Sequence, residues 1–426
     1  MLNKETAQNL AMRAFMSVVA AIETVESGIA FNPLDPKNLD NPYPFYHRLR
    51  EKDPVHRSRV GPWVVSRYAD ALEVFQDKRL SNDLRNSSLW PRMQKLQLKA
   101  GRTQNELDNP EMLHSDPPRH TRLRSLVSQA FTPNSVGALA PRIHKIVHDL
   151  LDEAERNDPM DLIHGLAHPL PVIVIAEMLG IRAEDRDQFR SWSDDILRGY
   201  GYPNLIDLKA AVKAEREYQA YLTAIIEQRR VDPKDDLLTR LVQVEEQGDR
   251  LSMHELFSIC TLLLVGGNET TANLIGNGIL ALLQNPDQMA VLRENPRLAE
   301  PAVEELLRYD SPIVVDGRFA MEPFEFKGRQ IKKGQTLVLL VGAINRDPAQ
   351  FEEPDKLLLE RANNRHLAFG RGIHYCIGAP LTRLETAIAL QILVERYPKL
   401  RLATERVKRI QGNWGLRGLK ELPVRT

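Results

Sequence analysis

Only two cysteines are present in this 426-residue chain, and one of them sits where a metal ligand would. Cys376 stands in HLAFGRGIHYCIGAPLTRLE (366–385), between a glycine-rich loop and a helical pattern with Pro380 in its first turn. A proline there gives up an N–H that the helix would leave unpaired anyway. The sulfur therefore lies near unpaired backbone N–H groups and the positive end of a helix dipole. Both favour the thiolate, which is the form of cysteine that binds metals. Gly370, Gly372 and Gly378 let the backbone approach a flat group closely, and Phe369 can cover one face of it. Taken alone, a cysteine after such a loop is more often a small buried hydrophobe.

Other residues raise chemical questions of their own. The longest helical pattern, 253–284, contains LLLVGGNETTANL. Two glycines inside a helix are unfavourable by about 1 kcal/mol each relative to alanine. Either a close helix crossing or a local distortion that admits a small ligand and water would account for them. Glu305 and Arg308 in EELLRY share a helix face, and their spacing alone reads as an exposed ion pair worth a few tenths of a kcal/mol. His120 and Arg124 lie four apart in HSDPPRHTRLRSLV. His164 and His168 are four apart too, but a structural zinc site needs about four ligands and none is in register with them. They read as a histidine pair on a core or surface face.

Together Phe369, Gly370, Gly372, Cys376 and Gly378 spell F-G-x-G-x-x-x-C-x-G, with His366 before the motif and His374 inside it. This resembles the haem-binding signature of the cytochrome P-450 monooxygenases at all its usual positions. The resemblance implies that Cys376 is the proximal axial ligand of haem b. CxxCH is absent, so covalent haem attachment is not expected. Gly266-Gly267-Asn268-Glu269-Thr270 is similar to the family's acid–alcohol motif, where Thr270 would hold a water beside bound oxygen and Glu269 would relay protons. Thr271 reads as packing or as a back-bonded hydroxyl. Glu305 and Arg308 resemble the ExxR pair, which implies a buried network with a third arginine. Arg361 is the candidate, although LLLE replaces the usual aspartate-proline lead-in. His120, Arg124, Arg318 and His374 match positions that bind the haem propionates, with Phe369 and Gly378 completing the cofactor set.

The resemblance further implies O2 activation and the hydroxylation or epoxidation of a largely apolar small molecule. By analogy its pocket draws on Leu89, Trp90, Met93 and Leu96, the GYGYPN break at 199–204, and Leu262, Val265, Gly266, Val314, Val315 and Trp414. Arg92, Lys95 and Lys99 read as a solvated loop. No flavin, nicotinamide or iron–sulfur fingerprint is visible, so a separate ferredoxin or flavodoxin with its reductase is implied. Arg119, Arg122, Arg371 and Arg383 are candidates for steering it. Two alternatives remain: a peroxide-dependent peroxygenase, which Glu269-Thr270 disfavours, and a non-catalytic haem-thiolate sensor, for which no output domain is visible.

The elements that must position these groups are mainly helical. A hairpin (PVHRSRV, Gly61-Pro62, WVVSRY) precedes a helix near 69–76 and a polar, irregular stretch from Ser81 to about Glu111. Helical patterns run from 117 to 231, and strands are expected near RFAME, FEFKG and TLVLLVGA. A helix over 379–396 and a hairpin near RVKRIQGNWGLRGLKELPV close the chain. The fold class is mainly α with small antiparallel β-sheets, in one large domain with a helix-rich and a β-rich part. Residues 31–426 are expected to form the haem domain, with 1–30 an extension that is helical or mobile. Leu10 to Ile22 is apolar but interrupted by Arg13 and too short to span a bilayer, so no stable membrane insertion is expected. Lys plus Arg and Asp plus Glu number 57 each, which removes any global attraction to nucleic acid. Cys260 and Cys376 make no disulfide framework, in keeping with a reducing cytoplasm.

Overall fold

The computed structural model describes residues 4–59, 61–200, 204–246, 249–410 and 414–426. Residues 201–203 of the GYGYPN segment, Val60 of the first hairpin and 411–413 of the last lie outside the described residues. The helices that matter for the site are α1 (Lys4–Ser27), α2 (Trp90–Ala100), α3 (Arg119–Ala130), α4 (Pro169–Met178), α5 (Arg186–Leu197), α6 (Leu205–Val231), α7 (Met253–Gln284), α8 (Ala299–Tyr309) and α9 (Ala379–Arg396). The main sheet has β1 (Val55–Arg57), β2 (Trp63–Val65), β3 (Leu80–Ser81), β4 (Asp316–Ala320) and β5 (Thr336–Leu339), in the order β1-β2-β5-β4-β3.

Helix α7 is the axis of the molecule. Ser252 and Glu255 form a capping box at its start, satisfying two of the N–H groups that a helix leaves unpaired. It packs against α4, α5, α8 and α9 and is buried on most of its circumference, as its all-round apolar sequence requires. One large apolar core surrounds it, and a second lies between the main sheet and the helix at Tyr68–Gln76.

Four features depart from the sequence reading. The stretch expected to be irregular holds α2 and a short helix, Gln104–Asp108. Trp90, Met93, Leu96 and Ala100 keep a helical period there, interrupted by enough charge to hide it, and Gly101 ends α2 in the left-handed region (φ 108°). The main sheet is not wholly antiparallel, since β2 runs parallel to β5, with Val64 opposite Val338. The strand in TLVLLVGA stops at Leu339, and Val341–Ile344 turns helical. Among the described residues of the closing hairpin Arg409 pairs with Leu419, while Pro423–Arg425 joins a separate sheet with Arg401–Leu402 and Met160–Asp161.

The N-terminal segment is a helix pinned at its end by a buried carboxylate. Glu23, 2% exposed, accepts hydrogen bonds from the Phe31 N–H (2.8 Å) and the Ser58 hydroxyl (3.0 Å) and faces His56 Nε2 at 3.4 Å. His56 Nδ1 meets Asp53 at 3.0 Å. Burial pulls the His56 pKa down, but its two carboxylate partners outweigh this and raise it to about 9 from an ordinary 6.5. The charged imidazole thus contributes stability that is complete below about 6.5 and disappears as pH rises through about 9. Limited proteolysis should release α1 faster above that pH, and Glu23→Gln should do so at neutral pH, weakening the docked state by about 2 kcal/mol.

Candidate functional site

The loop before α9 is folded around its sulfur. The Cys376 N–H bonds the Phe369 carbonyl (3.0 Å), and Gly370 and Gly372 take left-handed backbone angles (φ 69° and 75°) that close the turn between them. Gly378 caps α9 with an ordinary φ of −78°, so its glycine is not required by backbone angle. The sulfur accepts from the backbone N–H groups of Gly378 and Ala379, with Arg124 and Arg383 supplying positive charge nearby. Burial nevertheless prevails and pushes the Cys376 thiol up. The helix end and these cations thus offset burial only in part, and a metal cation against the sulfur would favour the thiolate further. Phe369 lies beside it, under the Arg383 guanidinium at 4.7 Å from the ring centre.

Four basic side chains converge next to this loop. The rings of His120 and His374 lie 4.1 Å apart, and His120 Nδ1 and His374 Nε2 are buried without a hydrogen-bond partner. Burial, reinforced by His120, Arg318 and Arg124, pushes His374 down to about 3. Burial likewise lowers His120 and Arg124. Arg318 projects from β4, 6% exposed, and its Nη1 bonds Asn82 Oδ1 (2.9 Å) and Asp316 Oδ1 (2.7 Å). A buried group of donors with orphaned nitrogens is a site for an anion.

The two adjacent glycines of α7, Gly266 and Gly267, divide the two explanations between them. A Cβ on Gly267 would stand 3.1 Å from Ile175 of α4, so that glycine serves a close crossing. Gly266 is exposed in mid-helix and opens onto space, its nearest neighbour being Leu262 at 4.0 Å. The helix runs through both without a break, and the Thr270 hydroxyl donates to the Gly266 carbonyl (2.6 Å). Glu269 is raised to about 7 by burial and by the charge of Asp194. Asn268, 6% exposed, donates to Ser193 of α5 (3.2 Å). Thr271 meets Thr382 of α9 hydroxyl to hydroxyl at 3.1 Å, which ties the helix bearing Thr270 to the helix that follows Cys376.

Glu305 is enclosed by donors. Arg308 grips it with two hydrogen bonds of 2.8 Å, both side chains at 0% exposure. Arg361 Nε reaches both carboxylate oxygens (3.1 and 3.0 Å), and Asn364 Nδ2 and the Leu358 N–H add bonds of 3.0 and 2.9 Å. The pair is thus buried rather than the exposed one that spacing alone implies. The leucines of the LLLE lead-in fit because the main chain does the binding. The N–H groups of Leu358 and Leu359 donate to Glu305 and Gln288, while Leu357 and Leu359 fill apolar wells.

A cavity of about 780 Å³ lies beside this assembly, reaching Asp316 and Gly317 next to Arg318. Of the pocket residues named from the sequence, Leu89, Trp90, Met93, Leu96, Val315 and Trp414 line it. Leu262 and Val265 pack into the main core instead. Val314 turns to a small recess with Tyr46, because successive residues of an extended segment point to opposite sides. Gly266 is not on the wall of this cavity. Tyr200 of the GYGYPN break is on it. The sequence reading missed Glu111, His114, Arg102, Glu215, Ser258 and Thr261, which line it too. The E-x-x-H spacing at 111–114 was the available signal.

Two other sequence readings meet their geometry here. His164 and His168 stack (6.1 Å, 10°), and His164 pairs with Asp161. Among the described residues no histidine, cysteine or carboxylate cluster could hold a metal ion. Three of the four arginines assigned to partner steering are engaged: Arg122 with Glu255 and Asp249, Arg119 with Glu255 at 3.6 Å, and Arg383 with Glu304. Arg371 is exposed.

Haem fits this donor set. A buried sulfur in need of a cation, basic side chains in need of carboxylates and a mid-helix opening are what an iron porphyrin with two propionates would satisfy. The cytochrome P-450 family model matches residues 98–423. The polyketide biosynthesis cytochrome P-450 PksS of Bacillus subtilis is 41% identical over 93% of this chain and 98% of its own. Its solved structure superposes with a TM-score of 0.84 over 92% of this chain and 99% of that one. A Bacillus megaterium cytochrome P-450 solved with testosterone gives 0.79 at 35% identity, over 90% and 99% of the two chains. A vitamin D(3) 25-hydroxylase of Pseudonocardia autotrophica is 42% identical over 90% of this chain and 93% of its own. The chain belongs to the cytochrome P-450 family: it is a haem-dependent monooxygenase with haem b as cofactor.

Removing one donor from Glu305 should destabilise strongly, because it strips a buried carboxylate of half its charge partners. Arg361→Ala should lower the unfolding free energy by about 3 kcal/mol in urea titration and speed haem loss to apomyoglobin.

Proposed function

We propose that Cys376 ligates the haem iron, that His120, Arg124, Arg318 and His374 hold the propionates, and that Glu269 and Thr270 manage protons on the opposite side. Phe369 shields the sulfur, and Gly378 helps close the turn that carries it. The observation that supports the reading is the 3.1 Å contact between Thr271 of α7 and Thr382 of α9, which joins the helix bearing Glu269 and Thr270 to the helix that begins after Cys376.

When bound, haem supplies the reductive activation of O2, with two electrons and two protons consumed, one oxygen atom passed to the substrate and the other leaving as water. The protein's own part is proton placement. The Thr270 hydroxyl hydrogen is committed to the Gly266 carbonyl. Its oxygen lone pairs are thereby left to accept from a water and hold it in the opening. Glu269, raised to about 7, is present in both protonation states at neutral pH and can take a proton from solvent and release it inward.

The substrate class supported is an apolar organic molecule, since Leu89, Trp90, Met93, Leu96, Phe319 and Val338 make up much of the cavity wall. The names of the relatives, which speak of polyketide biosynthesis, testosterone and vitamin D(3), are in keeping with it. Electrons come from a separate ferredoxin or flavodoxin with its reductase. With Arg119, Arg122 and Arg383 engaged in ion pairs, exposed Arg371 is the steering residue best supported. Residues 31–426 act as the haem domain and 1–30 as an appended helix. Two widely separated free cysteines support a cytoplasmic protein, and no helix among the described residues is long and apolar enough to cross a membrane.

Cys376→Ala should abolish the thiolate Soret band of the reduced carbon monoxide complex; a variant that keeps it would refute the ligand assignment. Thr270→Ala should retain haem yet divert most NADPH-derived electrons to peroxide, measured as product formed per NADPH with a surrogate ferredoxin. Coupled turnover should decline as pH rises through about 7, where Glu269 loses its proton, and Glu269→Gln should flatten that profile.

A further inference from the structure

At one end of the cavity the wall changes from apolar to charged. Glu111 and Tyr200 lie deep in the molecule, yet the Glu111 side chain keeps 22% exposure because it borders the cavity. The Tyr200 hydroxyl donates to both Glu111 oxygens at 3.2 Å, and His114 Nδ1 stands 2.8 Å from Oε1. Beside them Arg102 pairs with Glu215 at 2.6 Å and takes a second bond from its Nε to Gln97 (2.9 Å).

The charge balance at this end is uneven. Elsewhere on the wall Asp83 is matched by Arg85 (2.6 Å), Glu106 by Arg216 (2.6 Å) and Asp316 by Arg318 (2.7 Å). Glu111 and Glu215 share one permanent cation, the Arg102 guanidinium, with the imidazole of His114 as the other basic group beside Glu111. Burial works to raise Glu111, but the His114 hydrogen bond and the charges of His114 and Arg102 outweigh it and hold it below the usual carboxylate range. Glu215 is pushed up, first by burial and then by its acidic neighbours Glu111 and Glu106 against the pull of Arg102. An ionised carboxylate, fixed in orientation and facing an internal space, calls for a cation.

We propose that Glu111, oriented by Tyr200 and His114, is a substrate-recognition residue that binds a basic nitrogen carried at the far end of an otherwise apolar substrate. The inference rests on reading this cavity as the substrate site and narrows the substrate class. His254 Nε2 meets the Asn109 carbonyl at 3.3 Å, which sets the Glu111 segment near the first turn of α7. Thr270 lies about 24 Å further along that helix at 1.5 Å per residue. The nitrogen is therefore an anchor remote from the oxidised carbon, and the substrate is long.

Spectral titration of the haem-loaded protein tests this with three ligands of one chain length: hexadecyltrimethylammonium, hexadecanol and hexadecanoate, below micellar concentration. The quaternary nitrogen cannot ligate iron, so a high-spin shift reports occupancy of the cavity. The cation should bind at least about tenfold more tightly than the alcohol, a preference of about 1.4 kcal/mol. Glu111→Gln should remove that preference and leave the alcohol affinity unchanged, whereas Glu111→Asp should keep part of it. Equal binding of all three ligands, tightest binding of the carboxylate, or a cation preference that survives in Glu111→Gln would overturn the proposal while leaving the cavity as the substrate site. If none of the three shifts the spin state of the wild-type protein, the reading of the cavity fails and takes the proposal with it.

Discussion

Charge kept out of water is the constraint on which this structure turns. The site holds a sulfur that burial disfavours as an anion, four basic side chains of which two are histidines with orphaned nitrogens, and a carboxylate at zero exposure. Each is unfavourable alone, and none is resolved by apolar packing. Glu305 is resolved inside the protein, by two arginines, an asparagine and a backbone N–H. The sulfur and the two histidines are not, and their needs are of opposite sign. One group that carries a metal at its centre and carboxylates at its rim answers both, which makes cofactor uptake and folding parts of one equilibrium.

Much of this was legible in the residues. The 253–284 helix appears with the bounds that its all-round apolar pattern gives, because a fully buried helix needs no partner information to be seen. The cysteine loop was readable because glycine positions and Pro380 constrain the backbone locally. What could not be read depends on neighbours distant in sequence. Whether Glu305 and Arg308 form a surface pair or a buried one is decided by Arg361 and Asn364, more than fifty positions away. The helix end beside Cys376 is visible in sequence, whereas the burial that opposes its thiolate depends on distant neighbours. Helix α2 was hidden because its apolar period carries lysines and arginines between the turns, and only α6 packing beside it shows which face is covered.

Adjacent residues with opposite fates recur through the site. Gly266 opens space while Gly267 closes it against Ile175. Val315 lines the cavity while Val314 fills a recess behind. One helix turn thus serves crossing geometry and ligand access together, and a substitution at either glycine would act on a different function. Single-sequence reasoning treats such pairs as one motif, and the tertiary structure separates them.

The lead-in to Arg361 has a wider consequence. Because Leu358 attaches to Glu305 through its amide hydrogen, evolution can exchange that side chain without disturbing the clasp, while Leu357 and Leu359 need only remain apolar. A fingerprint written in side-chain letters fades at such a place while the architecture beneath it persists, and a searcher armed only with the letters would discard chains built the same way.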